Sequence, residues 1–300
     1  MRIGLTIPSF KWPGGPGHIS EHLARIAGTA DQVGLASLWV MDHFFQARNN
    51  GRPEDPMLDG YAALSFAAAH TSQISLGTLC TGVTYRHPGL LGKLITSLDV
   101  LSKGRTYLGI GAAWYEEEHA GLGVPFPPLA ERFERLEETL QIILKMFSDD
   151  QTPHVGNHYR LDRPLNSPLP LGRVDADRAH PPILIGGSGE RKTLRLVAQY
   201  GDACNLFDTP DLPRKLAVLR DHCASLGRPY AAIEKTALTN FPWKADPRND
   251  MKSAVAHVTR LAEWGIGHVI VAMPGIQRPE ALSALSKVAE EVADILPQEH

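Results

Sequence analysis

Short apolar runs of strand character alternate with helical runs along almost the whole of this 300-residue chain. The strand-like runs are residues 3–8, 37–41, 74–83, 105–111, 182–185, 203–207, 233–241 and 268–272. Parallel strands need a crossover connection between them, and a helix is the usual crossover. Eight such β/α units without a disordered linker predict one α/β domain over residues 1–300. We expect a (β/α)8 TIM barrel rather than two doubly wound domains.

One long segment interrupts this alternation before strand five. Residues 149–181 contain five prolines and little periodicity. Such a segment is typical of a long surface loop, and long loops of this kind are often functional. We therefore expect an insertion that passes over the surface of the barrel, and an active-site lid is one role it can have.

Charge and cysteine content exclude several classes of function. The 30 Lys and Arg residues are offset by 33 Asp and Glu residues, and the basic residues do not cluster. The chain therefore lacks the electrostatic footprint of a protein that binds nucleic acid or an anionic membrane. Its three cysteines lie far apart in sequence, and no run of about 18 apolar residues could cross a bilayer. These observations predict a cytoplasmic protein without a nucleic-acid or membrane partner.

Two motifs of hydrolytic barrels and α/β enzymes are absent from the sequence. A metal hydrolase barrel would carry a His-x-His pair at the end of strand one, and a serine hydrolase would carry a Gly-x-Ser-x-Gly elbow. Predicted strand one, residues 3–8, contains no histidine. No metal site is predicted.

Small residues follow two of the predicted strands. Residues 78–83 end strand three and residues 109–113 end strand four, and both stretches are largely free of bulky side chains. Parallel α/β proteins bind ligands beyond the carboxyl ends of their strands. We therefore interpret residues 74–123 as the floor of a cofactor site.

Asp42 and His43 follow strand two at the same end of the predicted barrel. An imidazole in that position can relay a proton near neutral pH, and a carboxylate can orient it or bind a ligand. The alternative is that Asp42 caps the next element and that His43 packs under Phe44. The barrel position favours a functional pair, with His43 as the catalytic residue.

Glycines that open a helix after strand five predict an anion site. The run 186–189 reads Gly-Gly-Ser-Gly and leads into a helix that carries Arg191 and Lys192. Exposed backbone N–H groups and the helix dipole favour a phosphate there, although a plain tight turn has the same composition. The acidic run 116–118 and His119 are instead typical of a solvated first helical turn, with catalysis as the less favoured interpretation.

Four motifs in this order resemble the bacterial luciferase-like superfamily over residues 1–273. They are Ser-Leu-Trp-Val-Met-Asp-His-Phe, Leu-Gly-Thr-Leu-Cys-Thr-Gly-Val-Thr-Tyr-Arg-His-Pro, Leu-Gly-Ile-Gly-Ala-Ala-Trp-Tyr-Glu-Glu-Glu and Pro-Pro-Ile-Leu-Ile-Gly-Gly-Ser-Gly. More narrowly, the chain is similar to the branch that uses the deazaflavin coenzyme F420. The resemblance implies the same TIM-barrel fold and a small-molecule substrate, and it implies a homodimer that packs the helices near strands two and three.

The resemblance also implies a role for each matching residue. Asp42 matches an acid that contacts the deazaflavin head group, and His43 matches a histidine beside the hydride-transfer face. Leu79-Cys80 matches a non-prolyl cis peptide behind the ring. The residues implied to line the ring and ribityl chain are Thr81, Gly111, Ala112 and Ala113. Those implied to hold the cofactor phosphate are Gly186, Gly187 and Ser188.

One position departs from the family pattern. Sugar-phosphate dehydrogenases of the family have a catalytic acid closely after the strand-four glycines, whereas this chain has Trp114 there. The favoured function is an F420-dependent oxidoreductase that moves a hydride between the deazaflavin and a small organic substrate. The alternatives are a luciferase-like monooxygenase that uses FMN and a non-catalytic protein that binds flavin or deazaflavin.

Overall fold

The computed structural model describes residues 1–172, 179–241, 250–273 and 275–298. The part of the predicted insertion at 173–178 lies outside the described residues. The strands are β1 Arg2–Ile7, β2 Ser37–Val40, β3 Ser75–Thr78, β4 Thr81–Gly82, β5 Thr106–Gly111, β6 His154–Val155, β7 Arg160–Leu161, β8 Ile183–Gly186, β9 Ala203–Phe207, β10 Glu234–Asn240 and β11 His268–Ala272.

Eight parallel strand positions close into a barrel in the order β1, β2, β3, β5, β8, β9, β10, β11 and back to β1. The short strand β4 continues the line of β3 and also pairs with β5. Closure by parallel pairing throughout confirms the predicted (β/α)8 barrel. The eight strand-like runs of the sequence correspond to these positions within one or two residues, except that the run 74–83 divides into β3 and β4.

Helices cover the outside of the barrel and connect its strands. They are α1 Ile19–Gln32, α2 Gly60–Ala69, α3 Pro88–Ser102, α4 Glu116–Leu122, α5 Leu129–Phe147, α6 Thr193–Tyr200, α7 Leu212–Ser225, α8 Met251–Glu263 and α9 Pro279–Val292. Local sequence sets several of their ends. Asp59 caps α2 by accepting hydrogen bonds from the N–H groups of Tyr61 and Ala62, both at 2.9 Å. Within the described residues, no helix has the length and apolar composition to cross a membrane.

The barrel strands are buried on both faces, as expected for a parallel sheet covered by helices. Inside the barrel, bulky side chains from five strands form one cluster: Trp39, Tyr107, Leu184, Ala203 and Ile270. A much larger apolar layer lies between the strands and the helices. The interior of the barrel is therefore packed with side chains.

The described part of the insertion is anchored to the outside of the barrel by buried polar side chains. Glu138 on α5 accepts hydrogen bonds from the N–H groups of His158 and Tyr159, at 3.0 and 2.8 Å, and so holds the hairpin of β6 and β7. Asp99 on α3 accepts from the N–H groups of Leu171 and Gly172, at 2.8 and 3.1 Å. These contacts fix the described insertion against α3 and α5.

Candidate active site

A cavity of about 410 Å³ lies at the carboxyl ends of the barrel strands. Nine of the eleven site residues predicted from the sequence line it: His43, Leu79, Cys80, Thr81, Gly111, Ala112, Ala113, Gly186 and Gly187. Asp42 and Ser188 are the two that do not. The lining also includes residues that the sequence analysis did not single out for this site, among them Tyr85, Phe133, Thr193 and Asn205.

The chain between β3 and β4 forms one wall of this cavity. The peptide bond between Leu79 and Cys80 is cis, as the family resemblance implied. Thr78 and Thr81 on either side of it are hydrogen-bonded through their hydroxyl groups at 2.9 Å. The Tyr61 hydroxyl lies 2.6 Å from Thr81 Oγ1. Burial raises the pKa of the Cys80 thiol to about 12, so Cys80 is a neutral, apolar wall residue and not a nucleophile.

Glycines on two neighbouring strands let these strands pack closely against this wall. A Cβ atom on Gly186 would overlap the Cys80 sulfur, and one on Gly109 would overlap the Thr78 carbonyl oxygen. Only glycine lets β8 and β5 approach the segment so closely. The loop after β5 is fixed from behind, because Arg132 donates hydrogen bonds to the carbonyl oxygens of Ala112 and Ala113, at 3.3 and 2.6 Å. The floor is therefore flat and rigidly supported.

The far end of the cavity, where α6 begins, presents hydrogen-bond donors. Gly187 has φ +121°, which turns the chain out of β8 toward the first turn of α6. Thr193 and Asn205 are both buried and line the cavity here. Asn205 Oδ1 accepts a hydrogen bond from Thr236, and its amide N–H2 group has no partner within the described residues. These side-chain donors beside the start of a helix suit an anion such as phosphate.

Glu118 holds His43 at the other end of the cavity. Its buried carboxylate accepts a hydrogen bond from His43 Nδ1 at 3.0 Å. The same carboxylate accepts from the N–H groups of Phe44 and Phe45, at 2.6 and 2.7 Å, and from the Tyr85 hydroxyl. Four donors thus converge on one carboxylate, which satisfies the hydrogen-bonding capacity of a buried charge.

This arrangement determines the protonation of the pair. Burial alone raises the pKa of Glu118, but hydrogen bonds from His43, Tyr85 and the Phe45 N–H outweigh burial and lower that pKa. Burial and the Glu118 carboxylate raise the pKa of the Tyr85 phenol, so Tyr85 stays protonated and donates. An ionised Glu118 can only accept in its hydrogen bond with His43, so Nδ1 of His43 carries the proton that it donates to the carboxylate. The Nε2 atom is then the nitrogen that can exchange a proton with a ligand in the cavity.

Aromatic rings surround the His43 imidazole. The ring of Trp114 meets it edge-on with centroids 5.3 Å apart, and the ring of Tyr115 does so at 5.7 Å. Trp114 and Tyr115 stack on each other at 4.9 Å. Trp114 is 60% exposed, so a ligand that reaches His43 meets an open indole face.

Asp42 lies behind the cavity in a buried ion pair. Its two carboxylate oxygens accept hydrogen bonds from the two terminal guanidinium nitrogens of Arg86, Nη1 and Nη2, at 2.5 and 3.0 Å. Arg86 also reaches Asp59, and its guanidinium lies 4.7 Å from the centre of the Tyr61 ring. Burial raises the pKa of Asp42, and the neighbouring guanidinium opposes that rise.

The interpretation of residues 116–118 and His119 as a solvated face is correct for Glu116 and Glu117 and wrong for Glu118 and His119, which are both buried. Glu116 and Glu117 are exposed, and Glu117 pairs with Arg48. Glu118 instead lies on the buried side of α4 together with Tyr115, three positions earlier. That three-residue spacing is the signal in the sequence that could have identified it.

The sequence and the fold were compared with those of known proteins. The luciferase-like monooxygenase family matches residues 1–291. An F420-dependent glucose-6-phosphate dehydrogenase of Amycolatopsis mediterranei is 31% identical over 95% of both chains. Another, from Kineococcus radiotolerans, is 29% identical and aligns over 77% of this chain and 66% of its own length. A solved F420-dependent secondary alcohol dehydrogenase superposes with a TM-score of 0.78 at 17% identity, covering 98% of this chain and 99% of its own.

Replacing Glu118 should destabilise the fold. In Glu118→Gln an amide N–H2 replaces one acceptor oxygen among donors, so we expect the free energy of unfolding to fall by about 1–3 kcal/mol at neutral pH. The folded-state pKa of Glu118 is lowered. The difference from wild type should therefore be complete above the ordinary glutamate pKa of about 4.3 and disappear as the pH falls below it. Urea unfolding at several pH values measures this, with exposed Glu116→Gln as the control. Equal stability of the two variants at pH 7 would contradict the assignment.

Proposed function

Because this chain belongs to the luciferase-like monooxygenase family, we propose that it is an oxidoreductase that uses coenzyme F420. The family prediction made from the sequence motifs is thereby confirmed. Relatives named F420-dependent dehydrogenases support the choice of cofactor, since one of them aligns with 95% of the chain. The observation that carries the proposal is the cavity itself. Glycines form part of its floor, and it is also lined by His43, whose Nδ1 is hydrogen-bonded to the buried Glu118 carboxylate.

The cavity has the features that a deazaflavin needs. When bound, the coenzyme accepts or supplies a hydride at C5 of its ring. We propose that Leu79, Cys80 and Thr81 support the ring from behind and that residues 111–113 line the ring and ribityl chain. The phosphate would be held by residues 186–188, the first turn of α6 and the buried donors Thr193 and Asn205. The close packing of Gly186 against Cys80, which leaves no room for a methyl group, joins the two segments into one continuous floor and supports this fit.

Asp42 requires a different role from the direct one that the resemblance implied. Its carboxylate is engaged by Arg86 on both oxygens and does not line the cavity. A direct contact with the deazaflavin head group would need Arg86 to move away. We propose instead that Asp42 and Arg86 support the wall at Tyr61 and Thr81, behind the head group.

His43 is the proposed catalytic residue. Hydride transfer from an alcohol carbon leaves a proton on the substrate oxygen, and His43 Nε2 accepts that proton. In the reduction of a carbonyl group, His43 Nε2 donates a proton to the substrate oxygen. Glu118 keeps the imidazole in the tautomer with Nδ1 protonated and stabilises the imidazolium when it forms. The direction of hydride transfer depends on which substrate and which coenzyme form are supplied.

We propose that the substrate is a small organic molecule without charge. Among the described residues that line the cavity, none is Asp, Glu, Lys or Arg. The exposed apolar side chains at its edge are Trp114, Leu129 and Phe207. Trp114 also occupies the place of the catalytic acid of sugar-phosphate dehydrogenases. These features favour a substrate such as a secondary alcohol or ketone over the sugar phosphate of the relatives.

Cofactor choice separates this proposal from its alternatives. Fluorescence titration of the apoprotein with F420 and with FMN should give tight binding of F420 and much weaker binding of FMN. Secondary alcohols and glucose 6-phosphate, supplied with oxidised F420, should then reduce the coenzyme with the alcohols only. Preferential FMN binding, with oxygen consumption by reduced FMN, would establish the monooxygenase alternative. Tight F420 binding without turnover on any of a broad substrate panel would establish the non-catalytic one.

Replacing His43 should separate chemistry from binding. For His43→Ala we expect turnover with the best alcohol substrate to fall about 100-fold to 10,000-fold, the usual contribution of a positioned acid or base. The Kd for F420 should stay near the wild-type value, because His43 contacts the substrate side of the cavity. His70→Ala, on an exposed helix end, is the control. Unchanged turnover in His43→Ala would remove His43 from the mechanism.

We also propose that the protein is a homodimer. Helix α2 carries no charged residue, and its outer face consists of Ala62, Ser65, Phe66 and Ala69. On the adjacent α3, Leu90 and Leu101 are 71% and 70% exposed. An uncharged helix face beside two highly exposed leucines is typical of an interface.

Charge placed on that surface should dissociate the dimer. Leu101→Asp should give a monomer in size-exclusion chromatography with light scattering, while Leu296→Asp, at the equally exposed Leu296 near the C-terminus, should remain dimeric. A wild-type protein that is monomeric at all concentrations would rule the dimer out.

A further inference from the structure

Arg132 on α5 is a buried cation that lies directly behind the loop after β5. It is 9% exposed. Its guanidinium donates hydrogen bonds to the carbonyl oxygens of Ala112 and Ala113, at 3.3 and 2.6 Å, and to that of Pro127 at 3.1 Å. The guanidinium carbon lies 4.0 Å from the centre of the Phe126 ring. Arg132 is therefore held in one place, against the outer side of the cavity floor.

The positive charge of Arg132 is not cancelled by a neighbouring acid. Within the part of the chain that the structure describes, Arg132 forms no ion pair, and the three acceptors of its hydrogen bonds are neutral carbonyl groups. Burial lowers the pKa of the guanidinium, and the exposed Glu116 opposes that change. The group stays charged at neutral pH, because the ordinary pKa of arginine is about 12.5 or higher. Buried charges in proteins are usually paired, so an unpaired one behind a ligand cavity points to an electrostatic role.

The two peptide groups of the floor that Arg132 contacts carry free N–H groups on their other side. The C=O and N–H bonds of a trans peptide point in opposite directions. The carbonyl groups of Ala112 and Ala113 point at Arg132, so the N–H groups of Ala113 and Trp114, which belong to the same two peptides, point away from it. Ala112, Ala113 and Trp114 all line the cavity. Among the described residues, no acceptor is found for either N–H group.

The backbone at Ala113 has an unusual conformation. Its φ is +61°, a left-handed value that residues other than glycine rarely adopt. Such conformations persist where surrounding contacts hold them, and they are concentrated at functional sites. Here the hydrogen bond from Arg132 to the Ala113 carbonyl oxygen is one such contact. Successive N–H groups in a turn of this kind form a concavity that favours negative charge.

Hydride transfer produces a negative charge that these donors can stabilise. An alcohol that becomes a ketone loses a hydride from its carbon and a proton from its oxygen. In the proposed mechanism the proton goes to His43 Nε2, and the hydride takes two electrons and one negative charge into the coenzyme ring. Atoms and electrons balance without another reactant. The ring therefore gains a charge that the oxidised coenzyme does not have.

We propose that Arg132 polarises the two peptide groups between Ala112 and Trp114, and that their N–H groups stabilise the negative charge which the coenzyme ring gains on reduction. The inference rests on the proposed function, because residues 111–113 line the ring only if the coenzyme binds as proposed there. Donors that are already oriented stabilise a developing charge without reorganisation. Charge beside the ring is a means by which proteins tune such coenzymes. Arg132 acts through the backbone and is a positioning residue.

The midpoint potential of the bound coenzyme tests this role without turnover. Arg132→Gln keeps a hydrogen-bond donor but loses the charge. At a fixed ambient potential, the ratio of reduced to oxidised bound F420 should fall about tenfold, which is about 30 mV for a two-electron couple. Arg132→Lys keeps the charge and should stay near the wild-type potential. Spectroelectrochemical titration measures the potential, and separate binding titrations should show the Kd of reduced F420 rising about tenfold more than that of oxidised F420.

A change at Phe126 tests the charge with Arg132 in place. Phe126 is half-buried in the loop before α5, so its replacement tests the role even if Arg132→Gln does not fold. Phe126→Glu puts a carboxylate against the guanidinium and should lower the potential as Arg132→Gln does, whereas Phe126→Gln should not. Arg135→Gln, one turn later on α5, removes a cation that Glu131 already pairs with. This control should leave the potential unchanged.

The outcomes are distinguishable. An unchanged potential in Arg132→Gln and Phe126→Glu, or an equal loss of affinity for the two coenzyme forms, would reduce Arg132 to a structural contact and leave the F420 assignment intact. A fall in Arg132→Lys as large as that in Arg132→Gln would also overturn the role of the charge. Failure of the wild-type protein to bind F420 would overturn the proposed function and this inference with it.

Discussion

The carboxylate of Glu118 ties together loops that follow three different barrel strands. Phe44 and Phe45 donate to it from the loop after β2, Tyr85 from the loop after β4, and Glu118 itself stands on α4 after β5. An isolated carboxylate without access to water would be very costly, so the four donors are a condition for its burial. Once that condition is met, the same interactions fix His43 and exclude water from its Nδ1 side. The burial of the carboxylate and the orientation of His43 therefore depend on the same hydrogen bonds.

The negative charge of Asp42, the second buried acid near the site, is compensated in a different way. Asp42 is matched by a single cation, Arg86, which also lies against the Tyr61 ring and reaches Asp59. The pair therefore supports the cavity wall and leaves no free charge to face a ligand. Asp42 and Glu118 thus have different roles, which are set by their hydrogen-bonding partners and not by their residue type.

The fold was predictable from the sequence because strand and helix periodicities are local properties. The location of the cavity floor was predictable for a similar reason, since small residues at predicted strand ends can be read directly from the sequence. The break between β3 and β4 was not visible in the pattern of apolar residues and came only from the family resemblance. Asn205 joins the site because parallel pairing places β9 beside β8, and the sequence around Asn205 carries no motif that marks it.

Glu118 shows a further limit of one-dimensional reasoning. Three consecutive acids have the same local preference for the first turn of a helix, yet only one of them meets four donors from elsewhere in the chain. Ser188 shows the converse. It has the right chemistry for a phosphate and the right sequence position, but its side chain does not line the cavity, whereas that of Thr193 does. The phosphate contact proposed for Ser188 is therefore one of the backbone.

A comparison within the same barrel shows why position outweighs residue type. At the amino-terminal end, Ser37 Oγ lies 2.8 Å from His268 Nε2, and His268 Nδ1 lies 2.7 Å from Glu234. This serine, histidine and acid are in the order of a hydrolytic triad. However, Ser37 and His268 are buried without an adjoining cavity among those described, and Trp39 Nε1 donates to the serine oxygen at 2.7 Å. That set stabilises the closed end of the barrel, whereas His43 and Glu118 have the same histidine–carboxylate chemistry beside an open cavity at the strand ends where barrel enzymes bind their ligands.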